Sequence, residues 1–290
     1  MTSQLPFATH ALFLIGQGIG GSRTPAMHMK EGRELGMSTT YRLLDASVHG
    51  LTVDDLADVL QWARRLGYTG FNVTHPFKAA IIPHLDELSE RAQALEAVNT
   101  VVIRDGVAVG HNTDWCGFTR GMEGQLPGVM AGATVVQVGA GGAGSAVAYG
   151  LLDSGAAKVT LIDLDHERAA AVADRMARLY SPDRVEVGAD LAGALAEADG
   201  VVNCTPMGMA AHPGCAIPDE LLRADLWVSE IVYFPLETEL VRRARATGCR
   251  VSDGGGMACE QAVEAFFQFT GVQPDRGRML AHLREMVGHA

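Results

Sequence analysis

A glycine-rich segment in the middle of the chain, "VVQVGAGGAGSAVAYGLL", limits the folds that this sequence can adopt. Gly139, Gly141 and Gly144 have G-x-G-x-x-G spacing, between a β-branched strand pattern and a helical pattern. Such glycines permit a tight turn, close approach of the backbone to a pyrophosphate and close packing of helix on strand. The helix N-terminus also attracts phosphate charge. The segment therefore predicts a dinucleotide site, and a turn that serves packing alone is the alternative. The predicted cofactor-binding residues are Gly139, Ala140, Gly141, Gly142 and Ala143.

The pattern around this segment alternates strands with helices, which predicts an α/β fold. Strands "TVVQV", "KVTLID", "RVEVG", "GVVNCT" and "LWVSEIV" are joined by helical or short linking segments. Parallel strands linked by helices form a doubly wound sheet, the Rossmann arrangement. The first third also mixes both elements, and two of its apolar runs meet at a turn on Asp105-Gly106. Two helical patterns, "ACEQAVEAFFQFTG" and "DRGRMLAHLREMVGH", end the chain.

An acidic residue follows the glycine segment at the distance expected of a ribose ligand. Asp163 ends the next strand, 19 residues beyond Gly144. A carboxylate there accepts hydrogen bonds from the adenosine ribose hydroxyls, which predicts NAD as the cofactor. A 2′-phosphate brings roughly −2 charge and is repelled. Arg168 argues against this cofactor preference, because an arginine near this loop could pair with a 2′-phosphate. We expect Arg168 instead to flank the adenine or to pair with an acid.

The strand "DGVVNCTPMGM" leaves the same edge of the sheet. Its end places Thr205 and Met207 where the backbone can approach the nicotinamide half of the cofactor. An ordinary turn built on Pro206 and Gly208 explains this piece equally well.

The stretch "GFNVTHPFKAA" carries a lysine where local physics disfavours one. The pattern predicts a strand running into a short helix, with Lys78 in its first turn. Free backbone N–H groups and the helix dipole already present positive charge there. The helix N-terminus would lower the pKa of Lys78 towards the range useful for proton transfer, whereas a nearby carboxylate would hold it charged. Lys78 is therefore a candidate proton-transfer group.

Other polar residues have both a functional and a structural explanation. Ser22 and Thr24 precede a helix, and their hydroxyls could bind a carboxylate together with the free N–H groups of that helix. Thr24 is also a plausible N-cap before Pro25. Asp114 stands at a helix start, where capping is the favoured explanation. Asn99 fits a turn and Gln261 an exposed helical position.

Composition excludes several classes of function. The 290 residues are 48% hydrophobic and 20% charged, which suits one large or two modest globular domains. No apolar run approaches the length of a membrane span, and no secretory signal is recognised, so a cytoplasmic location is expected. A formal charge of −11 without a basic cluster argues against nucleic-acid and anionic-membrane partners. Five scattered cysteines indicate neither disulfides nor a metal site.

Six motifs together identify a family. In order along the chain, "NVTHPFK", "AVNTVV", "GHNTDWCGF", "VGAGGAG", "NCTPMGM" and "DGGGMACEQA" resemble the shikimate dehydrogenase family, most closely its NAD-linked quinate/shikimate branch. The resemblance implies a discontinuous α/β substrate domain, 1–113 with 256–290, and an NAD-binding Rossmann domain, 114–255. The sequence departs from the family pattern at Glu96, where glycine is usual, and at Gly21, where histidine is common.

The resemblance also implies residue roles. Lys78 and Asp114 match the catalytic pair, in which Lys78 exchanges the proton of the reacting hydroxyl and Asp114 orients that group. The matched substrate ligands are Ser22 and Thr24 for the ring carboxylate, and Thr74, Asn99 and Gln261 for the ring hydroxyls. Gly254 and Met257 are expected to contact the cofactor.

The expected activity is the reversible oxidation of a ring hydroxyl of shikimate or quinate by NAD. The expected partner is accordingly a small cyclic hydroxy acid. An aminoshikimate or related cyclitol-carboxylate dehydrogenase is the alternative within this class, and a dinucleotide-binding sensor without turnover is the alternative outside it. A homodimer and the physiological direction, biosynthetic or catabolic, stay open.

Overall fold

The computed structural model describes residues 9–288, and these form two compact units. Residues 9–113 with Ala262–Leu283 make the first, and Asp114–Gln261 with 284–288 make the second. The division into a substrate domain, 1–113 with 256–290, and an NAD domain, 114–255, stays a prediction about what each part binds.

The first unit contains a mixed sheet with helices. Its strands are β1 (Thr9–Gly16), β2 (Ser38–Asp45), β3 (Gly70–Val73), β4 (Glu87–Leu88), β5 (Thr100–Arg104) and β6 (Val107–His111). Its helices are α1 (Thr24–Glu34), α2 (Ala46–His49), α3 (Leu56–Arg65) and α4 (Glu90–Leu95), with 3-10 turns at Val53–Asp55 and Ile82–His84. The strand order is β2-β1-β3-β5-β6-β4. β1 runs parallel to both neighbours, whereas β5 is antiparallel to both of its own.

Apolar side chains of the sheet and of α3 form the core of this unit. The rings of Phe13 and Phe71 stack with centroids 4.5 Å apart, and Leu56 and Leu60 of α3 belong to the same buried cluster. The predicted turn between β5 and β6 is confirmed, with φ of 51° at Asp105 and 80° at Gly106. Positive φ at both central residues is the requirement of the tight hairpin turn that matches strand twist.

The second unit is a doubly wound parallel sheet, as predicted. Its strands are β7 (Thr134–Val138), β8 (Lys158–Ile162), β9 (Val185–Val187), β10 (Gly200–Asn203), β11 (Trp227–Glu230) and β12 (Arg250–Ser252). Its helices are α5 (Asp114–Gln125), α6 (Gly142–Asp153), α7 (His166–Leu179), α8 (Leu191–Ala196) and α9 (Glu239–Thr247), with 3-10 turns at Pro182–Arg184 and Asp219–Leu221. The order is β12-β11-β10-β7-β8-β9, parallel throughout. The strand with the glycine segment therefore lies at the centre, where the winding direction reverses.

Two further helices complete the chain. They are α10 (Gly254–Thr270), whose second half belongs to the first unit, and α11 (Arg276–Gly288). In the first unit the guanidinium of Arg278 donates to both carboxylate oxygens of Glu31, at 2.7 and 2.6 Å, and Glu31 is buried on α1. This ion pair fastens the start of α11 to α1.

The predicted short helix around Lys78 is wrong. Residues 78–81 form a turn, followed by the 3-10 turn Ile82–His84. The N–H of Ile81 reaches the carbonyl of Phe77 at 3.0 Å, but the next N–H, of Ile82, turns to Ala79 at 3.2 Å. The Lys78 carbonyl accepts instead from the N–H of Val98 at 2.9 Å. Because the Lys78 carbonyl bonds to another segment, the i to i+4 hydrogen bonds of a helix do not continue beyond this turn. The helix-dipole argument for Lys78 therefore does not hold.

Other helices and strands also differ from those predicted from the sequence. Helix α10 begins at Gly254, four residues before the predicted "ACEQAVEAFFQFTG", although three glycines in a row disfavour a helix. Packing explains this start, because a Cβ at Gly254 would lie 2.3 Å from the carbonyl oxygen of Val232, and one at Gly256 would lie 2.5 Å from Nε2 of Gln125. Helix α9 and strand β12 were not predicted.

Glu96, at a position where the family that the sequence resembles usually has glycine, adopts a left-handed backbone conformation. It ends α4 with φ 50°. A side chain there is strained, although glycine loses more backbone entropy on folding. We expect Glu96→Gly to stabilise the protein by about 0.5–1 kcal/mol and to raise Tm by roughly 1–4 °C. Glu90→Gly, in the helical first turn of α4, is the matched control and should lower Tm; equal effects of both changes would contradict the prediction.

Candidate active site

The carboxyl ends of β1 and β3 bring candidate residues of the first unit together. The N–H of Thr74 donates to the carbonyl of Ile15 at 2.9 Å, and the N–H of Gln17 donates to the carbonyl of His75 at 2.9 Å. A Cβ at Gly16 would lie 2.2 Å from Cγ2 of Thr74, so only glycine fits at that position. Thr74, a predicted hydroxyl ligand, is thus packed against the segment that leads to Ser22.

A carboxylate fixes that segment. Asp45, at the end of β2, accepts hydrogen bonds from the N–H groups of Gly18 at 2.9 Å and Ile19 at 2.8 Å. Burial raises the pKa of Asp45, but the N–H groups of Gly18, Ser47 and Ile19 outweigh it and lower the pKa below its ordinary value. The N–H of Ser22 then donates to the carbonyl of Ile19 at 2.9 Å. Asp45 therefore holds the loop in place, a role that sequence reasoning missed.

The structure reverses the capping explanation for Ser22 and Thr24. Thr24 is the first residue of α1, and the preceding Arg23 makes no side-chain cap. It is Ser22 that accepts the N–H of Thr24, at a long 3.4 Å. His28, on the next turn, is fully buried, and burial lowers its pKa to about 4, so it brings no charge at neutral pH. His28 therefore adds no positive charge to the start of α1.

Asn99 has a fixed amide orientation. Its Oδ1 accepts from the N–H of Thr113 at 2.8 Å and from the hydroxyl of Thr100 at 3.0 Å, and its Nδ2 donates to Oγ1 of Thr113 at 3.0 Å. The hydrogen bond to Oδ1 from a backbone N–H prevents the reversed orientation, because two donors would then face each other. The Asn99 amide is therefore held with its oxygen accepting and its nitrogen donating within this cluster.

The backbone of Lys78 lies beside that of Asn99. The bond from Val98 to the Lys78 carbonyl joins the turn that carries Lys78 to the residue before Asn99, and the N–H of Phe77 donates to the carbonyl of Thr74 at 2.9 Å. The first unit thus gathers Thr74, Lys78 and Asn99 within two short segments joined by backbone hydrogen bonds.

In the second unit, the three glycines of the G-x-G-x-x-G spacing have different explanations. Gly139 has φ 99°, and a Cβ there would lie 2.7 Å from the carbonyl carbon of Cys204; a Cβ at Gly144 would lie 2.4 Å from the carbonyl oxygen of Gly139. A Cβ at Gly141 would meet no atom of the described chain within 4 Å. Packing therefore explains two of the glycines, whereas the third fits backbone approach to a pyrophosphate at the start of α6.

Gln137 is a second residue that sequence reasoning missed. It is fully buried in β7, and its Nε2 donates to the carbonyls of Gly139 at 2.8 Å and Gly144 at 2.9 Å. The loop and the first turn of α6 are thus held by one side chain.

Asp163 has four hydrogen-bond donors. Its oxygens accept from the N–H groups of Ala140 at 2.6 Å and Asp165 at 2.9 Å, and from Nε and Nη2 of Arg168 at 3.2 and 2.5 Å. Burial raises the pKa of Asp163, and the bond from Arg168 together with the backbone donors lowers it below its ordinary value. The prediction that Arg168 pairs with an acid is confirmed. Asp163 also holds the glycine loop through Ala140.

The segment after β10 lies next to the glycine loop. A Cβ at Gly139 would come within 3.0 Å of the N–H nitrogen of Thr205. Oδ1 of Asn203 accepts from the N–H and the hydroxyl of Thr205 at 3.0 and 2.7 Å, and Oγ1 of Thr205 accepts from the N–H of Met207 at 3.2 Å. The two candidate cofactor residues, Thr205 and Met207, are therefore held by Asn203.

Helices α5 and α10 bring further candidates together. Asp114 is buried at the start of α5, as predicted for a residue at a helix start. One turn later, a Cβ at Gly117 would lie 2.8 Å from Cβ of Gln261 and 3.0 Å from the carbonyl oxygen of Met257. Gln261 and Met257 therefore pack beside the first turns of α5, whereas Gly254 has the packing role described above.

Two negative findings concern the described residues only. Residues 9–288 contain no group of three or more histidine, cysteine or acidic side chains placed to hold a metal ion. No helix in this part of the chain is long and apolar enough to span a membrane.

The second unit has the form of a dinucleotide-binding domain: a doubly wound sheet, a glycine loop after its central strand and an acid at the end of the next strand. Family models agree with the sequence motifs. Residues 14–101 match the shikimate dehydrogenase substrate binding domain, and residues 254–284 match the shikimate 5′-dehydrogenase C-terminal domain.

Relatives match over almost the whole chain. A quinate/shikimate dehydrogenase (NAD⁺) of Corynebacterium glutamicum is 52% identical over 92% of this chain and 95% of its own. A shikimate dehydrogenase (NADP⁺) of Pseudarthrobacter chlorophenolicus is 50% identical over 94% of each. The solved structure of quinate dehydrogenase from Corynebacterium glutamicum in complex with NAD superposes with a TM-score of 0.90, at 48% identity over 96% of this chain and 99% of that one. The chain belongs to the shikimate dehydrogenase family.

Proposed function

We propose that this protein is an NAD-dependent quinate/shikimate dehydrogenase. It would oxidise a ring hydroxyl of shikimate or quinate to the ketone, and reduce the ketone in the reverse direction. The observation that carries the proposal is the cluster of Thr74, Lys78 and Asn99 on two joined segments of the first unit. The family relationship to enzymes named for both substrates supports it.

The proposed chemistry separates a hydride from a proton. When bound, NAD supplies the hydride acceptor for the carbon-bound hydrogen. Lys78 takes the hydroxyl proton, and returns it when the ketone is reduced. Asp114 orients the reacting hydroxyl. Asn99 binds a ring hydroxyl with Thr74 and Gln261, while Ser22 and Thr24 bind the ring carboxylate at the start of α1.

The choice of NAD rests on Asp163. A carboxylate has about four acceptor sites, and all of them are used by Ala140, Asp165 and Arg168. Ribose hydroxyls would therefore replace the bonds from Arg168, which is half exposed and can move aside. A 2′-phosphate would meet the Asp163 charge at the same place. Relatives named for NADP and for NAD have similar identity to this chain, 50% and 52%.

The test is the formation of reduced nicotinamide, followed by absorbance, on adding shikimate, quinate or an aminated analogue to the purified protein with NAD and NADP in separate assays. We expect turnover of shikimate or quinate with NAD. Turnover of the aminated compound alone would favour an aminoshikimate dehydrogenase. Nucleotide binding with no turnover of any of the three would contradict the proposal and favour a sensor.

A further inference from the structure

A buried carboxylate that the proposed chemistry does not use ends β11. Glu230 is 1% exposed and forms no ion pair within the part of the chain that the structure describes. Its oxygens accept hydrogen bonds from the N–H of Val232 at 3.0 Å, from Nδ2 of Asn203 at 3.0 and 3.1 Å, and from the hydroxyl of Thr238 at 3.0 Å. Charge is costly to bury without a cation, so an acid kept at this position needs a reason.

The partners of Glu230 belong to two different loops. Asn203 begins the segment after β10 and donates also to the carbonyl of Met207 at 3.1 Å. Thr238 caps α9, accepting from the N–H of Val241 at 3.3 Å, at the end of the segment after β11. A Cβ at Gly208 would lie 3.6 Å from Oε2 of Glu230. One carboxylate therefore fastens both loops at the carboxyl edge of the sheet.

The first of these loops borders the glycine loop. β10 lies directly between β7 and β11 in the sheet, and Thr205 contacts the position of Gly139. Ligands of doubly wound sheets bind at this edge, beside the strand order reversal. Asn203 connects Glu230 to the backbone of Thr205 and Met207 by hydrogen bonds.

The protonation state of Glu230 changes this connection. Burial raises its pKa to about 7, against the hydrogen bonds from Val232, Asn203 and Thr238. A protonated acid keeps one acceptor oxygen and gains a donor, so it cannot hold the Asn203 amide with both oxygens. Of the titratable groups around it, Cys204 stays a thiol, because burial and the Glu230 charge raise its pKa. On neighbouring elements, Asp253 and Glu239 are paired with Arg245 and Arg243.

We propose that Glu230 is a positioning residue of the nucleotide site, which fixes residues 203–208 through Asn203 for the nicotinamide half of a bound dinucleotide. The proposal rests on the proposed function for the identity of that ligand. It makes nucleotide affinity depend on pH around neutrality, with the tighter binding on the alkaline side, where Glu230 is ionised.

The test is direct titration of the purified protein with NADH and with NAD, without substrate. In Glu230→Gln one acceptor oxygen becomes an amide nitrogen that faces the Asn203 amide. We expect the Kd of NADH to rise about tenfold at about pH 8, equivalent to about 1.4 kcal/mol. In the parent, Kd should rise towards the variant's value as the pH falls to about 6, whereas the variant should show no such change. Glu197→Gln, an exposed acid of the same unit, is the matched control and should follow the parent.

Thermal unfolding separates positioning from a purely structural role. A carboxyl whose pKa is raised by folding stabilises the fold at low pH and loses that contribution as the pH rises through the folded value. Glu230→Gln removes this loss, so its Tm at about pH 8 should equal or exceed that of the parent while nucleotide binding weakens. If Glu230 served stability alone, Glu230→Gln would not weaken nucleotide binding without also lowering Tm.

The proposal is overturned if Glu230→Gln binds NADH as tightly as the parent at about pH 8. It is overturned equally by a parent Kd that does not change between about pH 6 and pH 8, a measurement that needs no variant. A parent that binds neither nucleotide at any pH would instead refute the proposed function.

Discussion

Lys78→Ala is expected to lower kcat by about 10²- to 10⁴-fold, the usual consequence of removing one proton-transfer group. The fold should persist, because the Lys78 contact with Val98 is made by the backbone carbonyl, which alanine retains. Nucleotide affinity should not change, since Lys78 and the glycine loop belong to different units. Steady-state kinetics with shikimate or quinate, together with direct nucleotide titration, measure both effects.

Lys158→Ala is the matched control for this experiment. Lys158 is half exposed on β8 of the second unit and pairs with Glu186 at 2.8 Å. Its replacement removes the same charge and should leave kcat within a factor of about two, as for most surface changes. Near-normal turnover of Lys78→Ala would refute the assigned role.

The second large effect concerns the choice of nucleotide. We expect the parent to prefer NAD over NADP by at least ~10-fold in kcat/KM, a difference of only about 1.4 kcal/mol. Asp163→Ser should narrow this gap, because it removes the charge that repels a 2′-phosphate and frees Arg168 to pair with it. Both nucleotides should also bind less tightly, since the N–H of Ala140 loses its carboxylate partner. The ratio of kcat/KM values is therefore the quantity to compare.

Asp165→Ser provides the control for Asp163→Ser. Asp165 caps α7 by accepting the N–H of Arg168 at 3.0 Å, and serine is an equally good cap. This change removes one negative charge two residues away and should alter the nucleotide ratio much less. Equal use of NAD and NADP by the parent would show that the strand end of β8 does not select NAD.

The sequence predicted the second unit better than the first for a physical reason. Its strands are buried and parallel, so they appear as apolar runs, and the glycine spacing marks the central strand. The turn around Lys78 was predicted as a helix because local pattern does not reveal that Val98, twenty positions later, takes the Lys78 carbonyl. Helix α9, rich in arginine, and the three-residue strand β12 carry too little apolar signal to be recognised.

The residues that organise the candidate site were the hardest to predict. Gln137, Asp45 and Glu230 act through bonds to segments that only the fold brings near them. In the sequence each is one polar residue at or near the end of a strand, a place where polar residues are common. Lys78, Asp114 and the glycines can be proposed as site residues from the sequence because short motifs surround them.

The close packing of α5 against α10 restricts how this enzyme can be engineered. Exchanging helical glycine for alanine is a routine way to make a protein more heat-resistant, since it reduces the freedom of the unfolded chain. In α5 that route is open at Gly124, where a methyl group would meet no atom of the described chain within 4 Å. It is closed at Gly121, where a methyl group would lie 2.6 Å from the backbone nitrogen of Met257. Replacing every helical glycine by alanine would therefore force apart α5 and α10, the two helices that carry Asp114 and Gln261.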